Sequence, residues 1–350
     1  MSAKNLIYSI AKAGGLFGLA RRRTRNGLRI LCYHGFSFTD EHRFRPKLFQ
    51  TPEVFRERIH YLQRGGYSAL SLDEAMRRLR RGDLGEKDLV LTIDDGFYSV
   101  AALAVPILNQ FGFTATIYVT TYYVQHNNPI FRLALQYIFW KATAGALNCT
   151  GLPGGIDGLQ PTKGNAGESI LWQLIGFGEA QLDEEERMQL ARELARRLEV
   201  DFDELVTSRR LTLMTESEVA DLARQGFDIQ LHTHRHRLPD DPEEATRELR
   251  DNRAVLQPLS HRPLNHLCYP SGVWSRGVWP ILSAQNVATA TTCDPGFNYS
   301  DTPPLGLRRF LDFQTMPQIV FEAEVNGFAE LLRTAAGRSS KSQANLPMSG

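Results

Sequence analysis

Short apolar runs recur along the chain, separated by amphipathic stretches. Arg29–Tyr33, Leu89–Ile93, Ala115–Val119, Phe227–Leu231, His266–Tyr269, Val287–Thr291 and Leu307–Leu311 are dense in apolar side chains. Runs of this length read as strands, and continuous rather than alternating hydrophobicity suits strands covered on both faces. Between them lie helix signals. Thr51-Pro52-Glu53 opens a helix: threonine caps, proline takes the first turn, and Phe55, Ile59 and Leu62 recur at helical spacing until Gly65-Gly66 stops it. Tyr67–Leu70 reads as a short strand. Ser71 with Glu74 reads as a capping box that starts a helix through Arg80. Further helices are predicted over Ala101–Gln110, from the second capping box at Thr215-Glu216-Ser217-Glu218 to Gly226, over Asp241–Leu256, and through most of Val273–Ala284.

Strand–helix alternation predicts parallel strands joined by crossover helices. With seven or eight strands, and ligand-capable residues where several of them end, the expected fold class is α/β, a barrel whose strand C-termini open on one face. The rhythm breaks over residues 123–210, where a glycine-rich loop (Gly151 to Gly167) precedes a charged helix from about Asp183 to Glu199. This stretch is predicted to be a largely helical insertion in a barrel of residues 27–335. Residues 1–26 form an amphipathic, basic N-terminal segment. Residues 336–350, rich in Ser, Lys, Gln and Asn, are expected to be a disordered tail.

Composition narrows the function. Hydrophobic residues make up 42% and charged residues 23% of the 350 residues, which excludes a mostly disordered chain and a polytopic membrane protein. Lys+Arg total 40 against 39 Asp+Glu, so the formal charge is +1 and a general nucleic-acid binder is not expected. The four cysteines form no CxxC pair, which argues against a cysteine zinc site, and they are too few for a disulfide framework. Cys32 and Cys268 sit in apolar runs and read as small buried hydrophobes. Asn5 to Ala20 is apolar but interrupted by Lys12 and three glycines, and the basic run Arg21-Arg22-Arg23-Thr24-Arg25 follows it. A secretory signal carries its charge before the apolar stretch, so none is read here. The segment is also too short to span a bilayer. Leu6, Ile7, Ile10, Leu16, Phe17 and Leu19 would form one face of a short helix. That face either packs on the barrel or lies on an anionic membrane surface. The expected location is cytoplasmic, with peripheral contact at the inner membrane face through residues 5–25.

Two motifs carry chemistry. Thr92-Ile93-Asp94-Asp95-Gly96-Phe97 places adjacent carboxylates at the end of an apolar strand. Alternation along a strand would send them to opposite sides, but the glycine permits a turn that brings both into one pocket. His232-Thr233-His234-Arg235-His236 follows another apolar strand and holds three of the nine histidines. Imidazoles are common ligands of zinc and similar ions. His232 with His236 suits a turn; His232 with His234 suits an extended ribbon. Two histidines and one carboxylate leave metal positions open for water and substrate, as a catalytic site requires. The second aspartate is then free to take a proton from water, which predicts metal-assisted hydrolysis of an amide or ester.

From Arg29 to Leu311, apart from the insertion, the chain resembles the polysaccharide deacetylase family (NodB-homology, carbohydrate esterase 4). Thr92 to Phe97 resembles the family's T-F-D-D-G motif, with isoleucine for phenylalanine. His232 to His236 matches H-[ST]-x-x-H, Tyr269-Pro270-Ser271-Gly272 resembles Y-P-x-G, and Ile30 to His34 resembles the first-strand "YH" element of one bacterial branch. The resemblance implies a distorted (β/α)7 barrel and removal of N-acetyl, sometimes O-acetyl, groups from a polysaccharide such as an exopolysaccharide, or from a glycan precursor. It implies Asp94 as general base and Asp95, His232 and His236 as ligands of a divalent ion: zinc, or else cobalt, nickel or manganese. Thr233 would shape the loop.

Two family features are missing. Many members carry an arginine two residues before the late proline, touching the catalytic aspartate; that position is Cys268 here, and Arg308 or Arg309 is the substitute the sequence offers. The Leu-x-His element that supplies the acid has no match near Leu307-Arg308-Arg309-Phe310. Tyr269, Pro270, Trp274, His34 and Arg309 are candidates for substrate contact, with Phe97, Tyr98 and Phe297 as further aromatics near the expected mouth. Two other readings fit the same motifs: hydrolysis of another C–N bond, in a formamide or cyclic amide, and glycan binding by a degenerate site.

Overall fold

The structure, a computed structural model, describes residues 3–337. Nearly all of the tail expected from residue 336 onward lies outside the described residues. The chain divides into two compact units, one of Met1–Tyr122 with Glu216–Gly350 and one of Tyr123–Thr215.

The first unit is built on seven strands: β1 (Arg29–Tyr33), β2 (Asp88–Ile93), β3 (Thr116–Val119), β4 (Asp228–Leu231), β5 (His266–Cys268), β6 (Thr289–Thr291) and β7 (Phe310–Leu311). They pair in the order β6-β5-β4-β3-β2-β1-β7, every pair parallel. The two residues Ser68–Ala69 pair with the start of β2 as an eighth, off-path strand. The sheet also bends its ends together. Leu307, just before β7, donates its N–H to Ala290 of β6 (2.9 Å) and accepts from the N–H of Thr292 (2.8 Å). This is the α/β barrel expected from the alternation, in the distorted seven-stranded form that the resemblance implies.

Local chemistry explains the framing helices. Thr51 Oγ1 accepts from the N–H of Val54, starting the helix Pro52–Arg64. Ser71 caps Leu72–Arg81 by accepting from the N–H of Glu74, but the reciprocal half of the box is not made: the Glu74 carboxylate pairs with Arg77 and Arg78 instead. Leu72, Ala75, Met76 and Leu79 of this helix are buried against Ile30 and Val90. Each such leucine contributes about 1.5–3 kcal/mol over leaving it exposed. The helix expected over Ala101–Gln110 is a π-helical turn, Val100–Ala104, leading into Val105–Phe111. Pro106 lacks an N–H and cannot serve the regular i→i−4 ladder there.

The second unit holds the helices Phe131–Lys141, Gly164–Gln181, Glu184–Arg197 and Phe202–Thr207 and an antiparallel pair, Ala146–Asn148 with Leu159–Pro161. The glycine-rich stretch is therefore not simply a loop. It contains one strand of this pair and the start of an 18-residue helix. Gly167 lies within that helix because a Cβ there would sit 2.3 Å from the Thr162 carbonyl carbon, so the glycine allows close packing rather than flexibility. The charged helix starts as its sequence suggests, with Asp183 and Glu186 exchanging side-chain and backbone hydrogen bonds.

The N-terminal segment forms two helices, α1 (Ala3–Ala13) and α2 (Leu16–Arg23), broken at Gly15 with φ +75°. The expected single apolar face is split. Phe17 is buried with Tyr8, Ala11 and Ala20, while Leu6, Ile7, Ile10, Leu16 and Leu19 face solvent. No helix among the described residues is long and apolar enough to cross a membrane.

Candidate active site

Asp94 continues β2 by one residue. Its N–H donates to the carbonyl of Tyr33 (2.9 Å), keeping the strand's alternation, so Thr92 and Asp94 share the barrel interior. The chain then turns through Asp95 (φ +70°) and Gly96 (φ +86°), both left-handed. The second carboxylate thereby escapes the alternation and reaches the same pocket. Left-handed backbone also marks Thr233 (φ +62°), His236 (φ +54°) and Ser271 (φ +56°), in the two other motif loops. For a β-branched residue such as Thr233 this conformation is strained, and strain held in place by its surroundings clusters at functional sites. Thr233 Oγ1 helps hold the loop by accepting from the N–H of Arg237 (3.1 Å).

The two carboxylates have different neighbours. Both oxygens of Asp94 are taken by Arg309: Nη1 donates to Oδ1 at 2.6 Å and Nη2 to Oδ2 at 2.7 Å. Burial pushes the Asp94 carboxyl up, but the Arg309 guanidinium outweighs it and holds the carboxyl at about 2. Arg309 is itself fully satisfied, donating through Nε to the Thr292 carbonyl (2.9 Å) and through Nη1 to Thr92 Oγ1 (3.1 Å). Cys268 Sγ lies 3.2 Å and Cys32 Sγ 3.6 Å from Asp94 Oδ2. These two cysteines are buried, as expected, but they line the carboxylate rather than serve only as filler. His34 Nε2 is 3.7 Å from the same oxygen, and its Nδ1 has no hydrogen-bond partner among the described residues. Burial lowers the pKa of His34, against the pull of Asp94 and Asp95.

Asp95 faces the histidines. Its Oδ1 lies 3.1 Å from His232 Nε2 and 3.3 Å from His236 Nε2. Burial raises the Asp95 carboxyl, and hydrogen bonds from the two imidazoles bring it well below the ordinary range. His232 Nδ1 is 2.8 Å from the carbonyl of Cys268, which can only accept, so Nδ1 carries a proton and Nε2 is the nitrogen turned to Asp95. His234 turns away: its Nδ1 meets Thr121 Oγ1 at 2.8 Å. The turn pairing, His232 with His236, is the one that forms.

Among the described residues, three sets of ligand-type side chains converge closely: Asp95/His232/His236, Asp94/His232/Cys268 and Cys32/His34/Asp94. The two sets containing Asp94 also contain the Arg309 charge, which repels a cation. The Asp95 set does not, and the side chain of His236, 40% exposed, leaves it open to solvent. Its ligand spacings of 3.1 and 3.3 Å match the roughly 3.3 Å edge of a tetrahedron with Zn–N and Zn–O bonds of about 2.0–2.1 Å. The residues present therefore fit a divalent ion.

Several residues picked as substrate contacts lie elsewhere. Arg309 is buried beneath Asp94 and not against the mouth. Phe97 and Phe297 are core residues. Tyr269 and Pro270 are buried too, with the Tyr269 hydroxyl donating to the Leu305 carbonyl at 2.8 Å. Trp274 is half-buried and starts an aromatic row. Its ring stacks on Tyr269 (centroids 5.9 Å apart) and lies nearly parallel to Trp279 (6.0 Å, 2°). Tyr98 is half-buried and stacks on Phe38. Sequence reasoning missed Asn252, on the helix Pro242–Leu256. Its Oδ1 accepts from the N–H of His232, and its Nδ2 donates to the Val119 carbonyl and Thr121 Oγ1, tying β3 to the histidine loop.

Comparison with known proteins agrees with this geometry. The polysaccharide deacetylase family model matches residues 194–290, a stretch that includes the histidine motif and Tyr269-Pro270-Ser271-Gly272. The resemblance seen in the sequence is thus borne out. Among solved structures, the deacetylase PplD of Streptococcus pyogenes in complex with acetate is 18% identical over 87% of this chain and 97% of its own, with a TM-score of 0.56. The de-N-acetylase of Aggregatibacter actinomycetemcomitans is 12% identical over 85% and 99%, with a TM-score of 0.53. IcaB of Ammonifex degensii is 16% identical over 87% and 97%, with a TM-score of 0.51. At these identities the likeness carries the barrel fold. No match is found among curated proteins.

Proposed function

We propose that this chain is a metal-dependent hydrolase that removes N-acetyl groups from a polysaccharide or glycan precursor. The family match and the shared barrel support a deacetylase. The observation that carries the mechanism is the division of two adjacent carboxylates, Asp94 with both oxygens on Arg309 and Asp95 with one oxygen between two imidazoles. Asp95, His232 and His236 would hold the ion. A bound divalent ion supplies Lewis acidity, lowering the pKa of water and polarising an amide carbonyl.

A carboxylate held at about 2 is a weak base, so Asp94 is suited to take a proton from a water whose pKa a bound ion would lower. Arg309 keeps Asp94 ionised and fixes its orientation. Breaking the amide also requires a proton for the departing amine. His34 Nε2 sits 3.7 Å from Asp94 Oδ2, and burial keeps its imidazole neutral, so it can take on the proton that Asp94 accepts from water and pass it to the amine. The half-buried Trp274 and Trp279, backed by the buried Tyr269, offer the apolar faces that sugar rings stack on, which favours a glycan over a small formamide.

The test is metal content by elemental analysis together with acetate release from N-acetylglucosamine oligomers. Near-stoichiometric metal and acetate release are expected in the wild type, loss of both in His232→Ala/His236→Ala, and metal without turnover in Asp94→Asn. Metal loss in Asp94→Asn would overturn the assignment of roles. Retained metal with no acetate release from the wild type would overturn the substrate class.

A further inference from the structure

We propose that α1 and α2 form a surface that docks the protein on an anionic lipid bilayer. The described residues expose nine large apolar side chains, and five of them, Leu6, Ile7, Ile10, Leu16 and Leu19, lie on these two helices at 44–64% exposure. A sixth, Leu332, is on the helix Phe328–Ala335, which α2 packs against. These positions are not leftovers of a poorly packed helix. The opposite sides are anchored: Tyr8 packs edge-on against Phe328 (5.7 Å), and Phe17 lies 5.3 Å from the same ring. Each helix is thus apolar twice over, once toward the protein and once toward solvent. A concentration of exposed apolar side chains on one element marks an interaction surface.

Charge selects the partner. No Asp or Glu precedes Asp40, whereas Lys4, Lys12, Arg21, Arg22, Arg23, Arg25 and Arg29 all do. Lys12 is neutralised by Glu322 and Arg21 by Glu86. Arg22, Arg23 and Arg25 are exposed and form no ion pair among the described residues. An apolar face rimmed by unneutralised arginines complements lipid tails beneath anionic headgroups. A second copy of the chain would set arginine against arginine. The chain's own segment after Gly337 carries Arg338 and Lys341 and no acidic residue, so it too lacks the complementary charge.

The experiment is co-sedimentation of the full-length protein with phosphatidylglycerol/phosphatidylcholine vesicles and with pure phosphatidylcholine vesicles. Three arginines at the surface give binding about 100-fold tighter to the anionic vesicles, weakened by high salt. Ile7→Asp/Ile10→Asp removes most of the binding with an unchanged thermal midpoint, since both side chains point outward. Arg22→Glu/Arg23→Glu, which leaves the apolar face intact, removes the preference for anionic lipid. Failure of the wild type to pellet with anionic vesicles, or pelleting of both variants with them to the wild-type extent, would overturn the proposal. So would a wild type that binds no lipid and dimerises through this face, with Ile7→Asp/Ile10→Asp restoring a monomer.

Discussion

Replacing Arg309 with methionine tests the electrostatic core of the site. The change removes both hydrogen bonds to Asp94, at 2.6 and 2.7 Å, and leaves a carboxylate 2% exposed without its counter-charge. Breaking a buried pair from one side costs about 3–5 kcal/mol, a fall in melting temperature of roughly 5–10 °C for a chain this large. The pH dependence gives the sharper readout. In the wild type Asp94 sits at about 2 when folded, against ~3.9 unfolded. It therefore contributes about 2–3 kcal/mol that is fully present above pH ~4 and lost as pH falls through about 2. Without Arg309 burial, the largest influence, is opposed only by the lesser pull of His34 and His232, and the folded pKa rises. The charged carboxylate then costs stability at neutral pH and is relieved by protonation, so the gap between wild type and Arg309→Met narrows on acidification. Asp94→Asn/Arg309→Met should be more stable than Arg309→Met alone. Urea unfolding across pH measures both effects. A pH-independent gap, or a double variant whose loss is the sum of the single losses within about 0.5 kcal/mol, would refute the reasoning.

Two further outcomes are expected. His34→Gln should lower kcat for acetate release by about 10²–10⁴-fold, the usual scale of proton transfer by a positioned group, with metal content unchanged; an unaltered kcat would remove His34 from the reaction. Gly35→Ala would drive a Cβ to 2.4 and 2.5 Å from ring carbons of Phe49, an overpacking cost of about 1–3 kcal/mol next to His34. A depressed melting temperature with reduced turnover checks it, and an unshifted midpoint would show that Phe49 gives way freely.

The elements legible in the sequence were those written locally. Apolar runs marked β1 to β7, and Thr51, Ser71 and Asp241 each cap the helix they announced. The Asp94-Asp95-Gly96 turn was legible because adjacent carboxylates before a glycine can share a pocket only by breaking strand alternation. What stayed hidden depends on distant neighbours. Gly167 looks like a loop residue until Thr162 is seen against it. Phe17 and Leu16 are equally apolar, and only the position of Phe328 decides which is buried. Asn252 did leave a trace. Glu248 and Asn252 fall at helical spacing with Ala245, Leu249 and Leu256 on the buried face of one helix, and a buried polar residue there implies partners that the periodicity cannot name.

The cation beside Asp94 shows why motif position and physical requirement separate. The family pattern looks for an arginine two residues before the late proline, and Cys268 stands there, itself touching Asp94. The requirement, however, belongs to the aspartate. A carboxylate buried in the barrel must be neutralised or protonated, and to act as the proposed base it must stay ionised. Inward side chains from every strand end converge on the same interior, so the guanidinium can come from the start of β7 as well as from β5. Arg309 takes that route, satisfied by Thr92, Thr292 and Asp94, and the vacated position holds a thiol small enough to leave room for it. The same interior explains the asymmetry of the pair. Asp94 keeps to the strand's alternation and meets the cation inside, whereas Asp95 turns out of it at φ +70° and meets the imidazoles. Adjacent carboxylates thus acquire opposite surroundings, a cation for one and imidazoles for the other, from a single left-handed turn.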